Sequence, residues 1–207
     1  MSESNQESTS GEVAELGRRN FIRQSVVSLG VTVQEYMKHS DVPVEVEKPE
    51  PITEREGWLR PPGAAEESEF LDQCTKCADC LDACPYHAIR KNVVDQYPVI
   101  FPDEKACELC EDFPCIDACE TDALLPVLSS FDVRMGIAKI SYRDCTADQG
   151  CNACVSKCPH EAISMDFSTF KLSVVDDQCV GCGLCQSICR TVNDRMAVKV
   201  VPIRMLA

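Results

Sequence analysis

The stretch Cys74-Thr75-Lys76-Cys77-Ala78-Asp79-Cys80-Leu81-Asp82-Ala83-Cys84-Pro85 sets four cysteines at steps of x2, x2 and x3 and closes on proline. Three more groups of the same kind follow it. Cys107, Cys110, Cys115 and Cys119 are spaced x2, x4, x3, and Cys145, Cys151, Cys154 and Cys158 are spaced x5, x2, x3 before Pro159. Cys179, Cys182, Cys185 and Cys189 return to x2, x2, x3, with Arg190 in place of the proline. All 16 cysteines are thereby used, four to a group. The spacing has a mechanical sense. Three thiols two residues apart can wrap one short loop around one centre. The fourth comes one helical turn after the third and points away from that loop, toward a neighbouring centre. Gly181 and Gly183 supply the flexible backbone a close wrap needs, and the closing proline turns the chain outward.

C-x2-C-x2-C-x3-C-P is the ligand run of bacterial 4Fe–4S proteins, whose last cysteine serves the other cluster of a pair. All sixteen cysteines are therefore candidate iron ligands, and four 4Fe–4S clusters are the expected cofactors. Two other uses of cysteine compete with this one. Disulfide scaffolds suit an even count but are normally short secreted chains without such triples. Structural zinc uses paired C-x2-C knuckles separated by a longer loop, and a zinc-stabilised interaction module without redox activity is the alternative reading. Groups two and three, with their x4 and x5 steps, depart most from the regular run.

An internal repeat accompanies the groups. Ala88-Ile89, Ala123-Leu124 and Ala162-Ile163 stand at a fixed offset from the last cysteine of groups one to three, and Ala197-Val198 follows group four after a longer return. Strand-like runs precede groups two, three and four at 97–101, 136–142 and 171–175. The predicted class is α+β, with tandem bacterial-ferredoxin-like modules in two dicluster units, built of small β-hairpins and one-turn helices around the clusters. The regular outer groups and irregular inner groups suggest nested pairing. That would bring together Cys74, Cys77, Cys80 and Cys189; Cys84, Cys179, Cys182 and Cys185; Cys107, Cys110, Cys115 and Cys158; and Cys119, Cys145, Cys151 and Cys154. The gaps of 22, 25 and 20 residues between groups also allow sequential pairing.

Composition narrows the function. The chain has 207 residues, 6 % of them aromatic, and a net charge of −14. A thin apolar core in a small protein calls for a metal or covalent staple. Such acidity argues against nucleic acid, whose affinity comes from Lys and Arg on phosphates. No run is long and apolar enough for a transmembrane span. GxGxxG, GxxxxGK[ST] and GxSxG are all absent, and no acid/base or nucleophile constellation stands out. An electron carrier without catalysis of its own is expected.

The chain divides into residues 1–56 and a cluster domain over 57–207. Residues 1–17 read as a polar disordered tail, and 41–57 as a Pro/Glu linker. Gly17-Arg18-Arg19-Asn20-Phe21-Ile22-Arg23 resembles a twin-arginine export motif. A short, interrupted apolar stretch follows it to about residue 34, with no small-residue cleavage site. Periplasmic and cytoplasmic locations both stay open. His87 and His160, just past a group's last cysteine, are candidates for tuning a cluster by hydrogen bonding. Tyr86, Phe113 and Tyr142 are expected to shield clusters from water.

From Trp58 to Pro202 the sequence resembles the ferredoxin-type proteins of the NapG/MauM type. The resemblance rests on Leu59-Arg60-Pro61-Pro62-Gly63-Ala64, on Cys107-Glu108-Leu109-Cys110-Glu111-Asp112-Phe113-Pro114-Cys115, on Arg134-Met135-Gly136 and on the stretched first step of group three. Glu120 departs from it, standing where the family often has proline. The spacing of group two is also similar to that in iron–sulfur subunits of molybdopterin enzymes, a family where nested pairing is the rule. The resemblance implies an electron carrier between a membrane quinol-oxidising protein and a terminal redox enzyme.

Overall fold

The computed structural model describes residues 57–206. The tail, the twin-arginine-like segment and most of the linker lie outside the described residues. The helices are α1 (Glu67–Gln73), α2 (Asp79–Asp82), α3 (Pro114–Asp117), α4 (Ala153–Lys157) and α5 (Leu184–Val192). The strands are β1 (Ile89–Lys91), β2 (Pro98–Ile100), β3 (Gly136–Ile140), β4 (Ile163–Asp166), β5 (Lys171–Val174) and β6 (Val198–Pro202). Four of the five helices start at the third cysteine of a group. Cys80, Cys115, Cys154 and Cys185 each sit at the second helical position of α2, α3, α4 and α5. The loops ahead of them carry left-handed residues at matching places. Lys76, Leu109 and Gly181 have φ of 59°, 51° and 74°, and Ala78, Phe113 and Gly183 have 84°, 41° and 86°. Group three reaches its helix differently, through a 3-10 turn at Ala147–Gln149 and Gly150 at φ 90°.

The strands form three antiparallel pairs, β1–β2, β3–β6 and β4–β5. Two of them are hairpins that each join one cysteine group to the next. Ile89 faces Ile100 in β1–β2, and Ile163 faces Val174 in β4–β5. In the second half β3 and β6 close an outer pair, with Gly136 opposite Pro202. In the first half the outer pair is reduced to one bridge, Ala64 to Leu124. Both halves thus run outer strand, cysteine loop, helix, inner hairpin, cysteine loop, helix, outer return. The strand runs read from the sequence at 97–101, 136–142 and 171–175 correspond to β2, β3 and β5, each a residue or two shorter.

The core is small and rich in sulfur. Leu59, Phe70, Val99, Ile100 and Val133 are fully buried, and nine of the cysteines are buried with them. The recurrent alanine–aliphatic pair is buried at all four of its positions. At two of the four, the pair's first residue turns its backbone N–H to a cysteine sulfur. The N–H of Ala88 donates to Cys84 Sγ at 3.4 Å and that of Ala197 to Cys189 Sγ at 3.3 Å. Among the described residues no helix is long and apolar enough to cross a membrane.

Arg60 braces the entry to the first cysteine loop. Its buried guanidinium grips both oxygens of Glu67, at 2.6 and 3.2 Å, and donates to the Pro98 carbonyl at 3.1 Å. It lies 4.3 Å from the Trp58 ring and 4.5 Å from that of Phe70. Such a fork combines bidentate pairing with stacking, which lysine does not reproduce. We expect Arg60→Ala to destabilise the protein by about 3 kcal/mol, measured as a lowered midpoint of anaerobic thermal unfolding. Arg60→Lys should recover only part of the loss.

Candidate metal centres

The sixteen cysteines form no disulfide, and the chain folds them into four sets of four. At site I, Cys74, Cys77, Cys80 and Cys119 line one cavity. At site II, Cys84, Cys107, Cys110 and Cys115 line a second. At site III, Cys158, Cys179, Cys182 and Cys185 line a third. At site IV, Cys145, Cys151, Cys154 and Cys189 lie together, each close enough to raise another's pKa. Every site takes three thiols from one loop and one from the end of the partner group. The helical turn between third and fourth cysteine hands the last thiol across, as the spacing suggested.

Nested pairing is not the arrangement found. Cys119 joins Cys74, Cys77 and Cys80, and Cys189 joins Cys145, Cys151 and Cys154, so groups one and two pair, as do three and four. The cause is local. The inner hairpins β1–β2 and β4–β5 fold each group back on the next, and α2 meets α3 as α4 meets α5. Regularity of spacing governs the shape of each loop and carries no information about which helix it packs on.

Electrostatics show what the sites require. Burial pushes Cys80 up to about 12, and the thiols of Cys74, Cys77, Cys115 and Cys119 add to it. Burial likewise raises Cys107 to about 12, against a lowering backbone N–H of Leu109. Cys115, Cys154 and Cys182 rise to about 11, again chiefly through burial. Cys185 is raised further, by burial and then by Cys182, Cys179, Cys154 and Cys158. Four crowded thiols cannot ionise together without a strongly positive centre among them, and a bound metal centre supplies that charge. Among the described residues, no three His, Cys, Asp or Glu side chains close around a point that a single ion could occupy. Four thiols per site are the donor set of a 4Fe–4S centre.

A family model for the 4Fe-4S dicluster domain matches residues 133–193, the stretch that holds groups three and four. Ferredoxin-type protein NapG of Escherichia coli (strain K12) is 34 % identical over 167 residues, covering 71 % of this chain and 71 % of the relative. The chain belongs to the NapG/MauM family of ferredoxin-type proteins. Methylamine utilization ferredoxin-type protein MauM of Methylorubrum extorquens is 35 % identical over 163 residues, 70 % of this chain and 72 % of that one. Ferredoxin-type protein NapF of Escherichia coli is 27 % identical over 139 residues, 63 % and 79 % of the two chains. No solved structure matches. The 4Fe–4S, ferredoxin-type, electron-transport character read from the cysteines is thereby established.

In this ferredoxin-type chain the four sites lie in a definite order. Cys80 of site I neighbours Cys115 of site II, and Cys185 of site III neighbours Cys154 of site IV. The two halves meet between sites II and III, where the N–H of Cys107 donates to the Cys182 carbonyl at 3.0 Å. Arg190 pairs with Asp103 at 2.7 Å beside that junction. Gly183 lies so close to the buried Pro102 that a Cβ on it would come within 2.5 Å of the proline. Exposure follows the same order. Sites II and III each bury three of their four cysteines, whereas site I buries only Cys80 and exposes Cys77.

The accessory residues divide. Phe113 is buried and lines site II, as expected of a shield. Tyr86 and Tyr142 are 46 % and 60 % exposed; the Tyr142 hydroxyl donates to the Leu172 carbonyl at 2.8 Å, which holds the ring outward. Both stay partly open to solvent, although Tyr86 lines the site II cavity beside Phe113 and Tyr142 lines the cavity that holds Cys145 and Cys151. His87 is exposed at the surface, whereas His160 is buried and lines site III. Burial, then the charge of Arg134, lowers the pKa of His160. Neither of its ring nitrogens has a hydrogen-bond partner, a condition that costs about 1–3 kcal/mol unless something else satisfies it. Sequence reading missed Asn193, whose amide approaches Cys189 Sγ at 3.7 Å while its oxygen accepts from Thr146 at 2.8 Å. Nothing in a lone Asn after the last cysteine signals that contact.

Proposed function

We propose that the protein carries four 4Fe–4S clusters, one at each site, and relays electrons along the file I–II–III–IV between a membrane quinol-oxidising partner and a terminal redox enzyme. The observation that carries this reading is the gathering of sixteen thiols into four sets of four, set side by side through Cys80 and Cys115, Cys107 and Cys182, and Cys154 and Cys185. Each cluster, once bound, supplies a one-electron centre whose potential depends on hydrogen bonds to sulfur and on exposure. The protein's own part is to hold neighbours close, to bury the middle of the file and to leave Cys77 open at one end. The partners are those implied by the family, and NapG and MauM are themselves named as ferredoxin-type proteins. Sixteen thiolates around four cores of about +2 take the net charge from −14 to about −22. Such a field favours a basic docking face on the partner and salt-sensitive association.

Dithionite provides the test. Anaerobically purified protein should be brown, should bleach on reduction, and should then give up to about four electron spins per chain by EPR. A zinc-stabilised interaction module would be colourless, with a visible spectrum that dithionite leaves unchanged.

A further inference from the structure

Site III differs from the other three in one respect. His160, two residues after its ligand Cys158, lines the same cavity as Cys158, Cys179, Cys182 and Cys185 and is only 8 % exposed. The Phe131 ring closes on it edge-on, with centroids 4.1 Å apart. Both imidazole nitrogens are buried, and no protein group is in hydrogen-bond reach of either. A polar side chain is seldom buried in that way, and each such case asks for a partner the protein itself does not provide. The neighbouring sites do not repeat the feature. The residue at the matching place is Tyr86 at site II, which is 46 % exposed, and Thr121 beside site I, where its hydroxyl lies 3.5 Å from Cys119 Sγ.

We propose that His160 is a hydrogen-bond donor to the iron–sulfur centre of site III, its ring N–H directed at sulfur. This rests on the cluster reading above. The consequence is electrical. A donor to sulfur favours the more negative, reduced state and raises the potential of that one centre relative to the same site without it. The imidazole acts here as a neutral donor, so glutamine or asparagine can partly replace it and leucine cannot. Site III adjoins the junction of the two halves, so its potential governs passage from one half to the other.

The experiment uses the full chain, purified anaerobically and fully reduced. The sequence has three histidines. In the His39→Asn/His87→Asn background only His160 remains, and 15N-histidine labelling then makes it the sole labelled residue. Pulsed EPR should show its nitrogen coupled to a reduced cluster. Redox titration of His160→Leu should show one midpoint potential moved to a more negative value and the others unmoved, with His160→Gln lying between leucine and wild type. Iron-replete protein with no histidine coupling overturns the proposal, and so do potentials that stay unchanged in His160→Leu. Should His160→Leu fail to assemble a cluster, the labelling measurement decides alone. Protein without iron would instead overturn the cluster reading beneath it, and the two failures are told apart by metal content.

Discussion

Removing Cys119 and Cys74 together should cost no more iron than removing either one alone. Each single alanine substitution is expected to lose up to about four of about sixteen iron atoms per chain. Both residues belong to site I, so the second substitution finds its cluster already gone. Cys119→Ala combined with Cys145→Ala should instead lose the sum of the two single losses, because site IV is assembled separately. Such non-additivity is the signature of a shared site, and additivity that of independent ones. Nested pairing gives the reverse result for both doubles: Cys119 would share a cluster with Cys145, and Cys74 would not. Iron content measured on these five variants and the wild type therefore settles the pairing independently of any spectroscopic assignment. The size of the effect is large because a missing ligand leaves three thiolates without the charge balance that their burial demands.

Gly181→Ala is the second substitution with a large expected effect. Gly181 adopts φ 74°, and a Cβ placed there would lie 2.3 Å from the backbone nitrogen of Gly136. Both partners in that approach are backbone, so neither can swing aside. The loop is also pinned at this level, since Met135 donates its N–H to the Val180 carbonyl at 3.0 Å. A left-handed non-glycine residue costs about 1–2 kcal/mol, and forcing an extra carbon into a filled contact costs about 1–3 more. The sum corresponds to a fall of about 10 °C in the midpoint of anaerobic thermal bleaching for a protein of this size. Gly150→Ala separates the two contributions. Gly150 has φ 90°, and a Cβ added to it would meet nothing within 4 Å, so only the backbone cost applies, a fall of about 2–8 °C. Equal losses for the two variants would mean that loop four does not rest on β3.

Much of this molecule was legible in its sequence, because ligand spacing is a local property. The four groups, the helical turn between third and fourth cysteine, and the strands at β2, β3 and β5 all follow from steps of a few residues. The recurrent alanine was visible as a repeat, and the N–H that Ala88 and Ala197 direct at Cys84 and Cys189 was not. Pairing was not legible. Gaps of 22, 25 and 20 residues are equivalent as lengths, yet the first and last hold hairpins, and the middle one holds an outer return, a 3-10 turn and β3. Which gap becomes a hairpin depends on packing between distant helices. The same holds for the side chains around the sites. Tyr86, Phe113 and Tyr142 looked alike by their distance from a cysteine, but only Phe113 is buried. His87 and His160 were paired by position, and tertiary contact with Phe131 is what separates them.

The most direct test of the central claim is the ratio of iron and acid-labile sulfide to polypeptide in protein purified without oxygen. Four cubanes require about sixteen of each per chain. Folded protein with about four zinc ions and no sulfide would contradict the account.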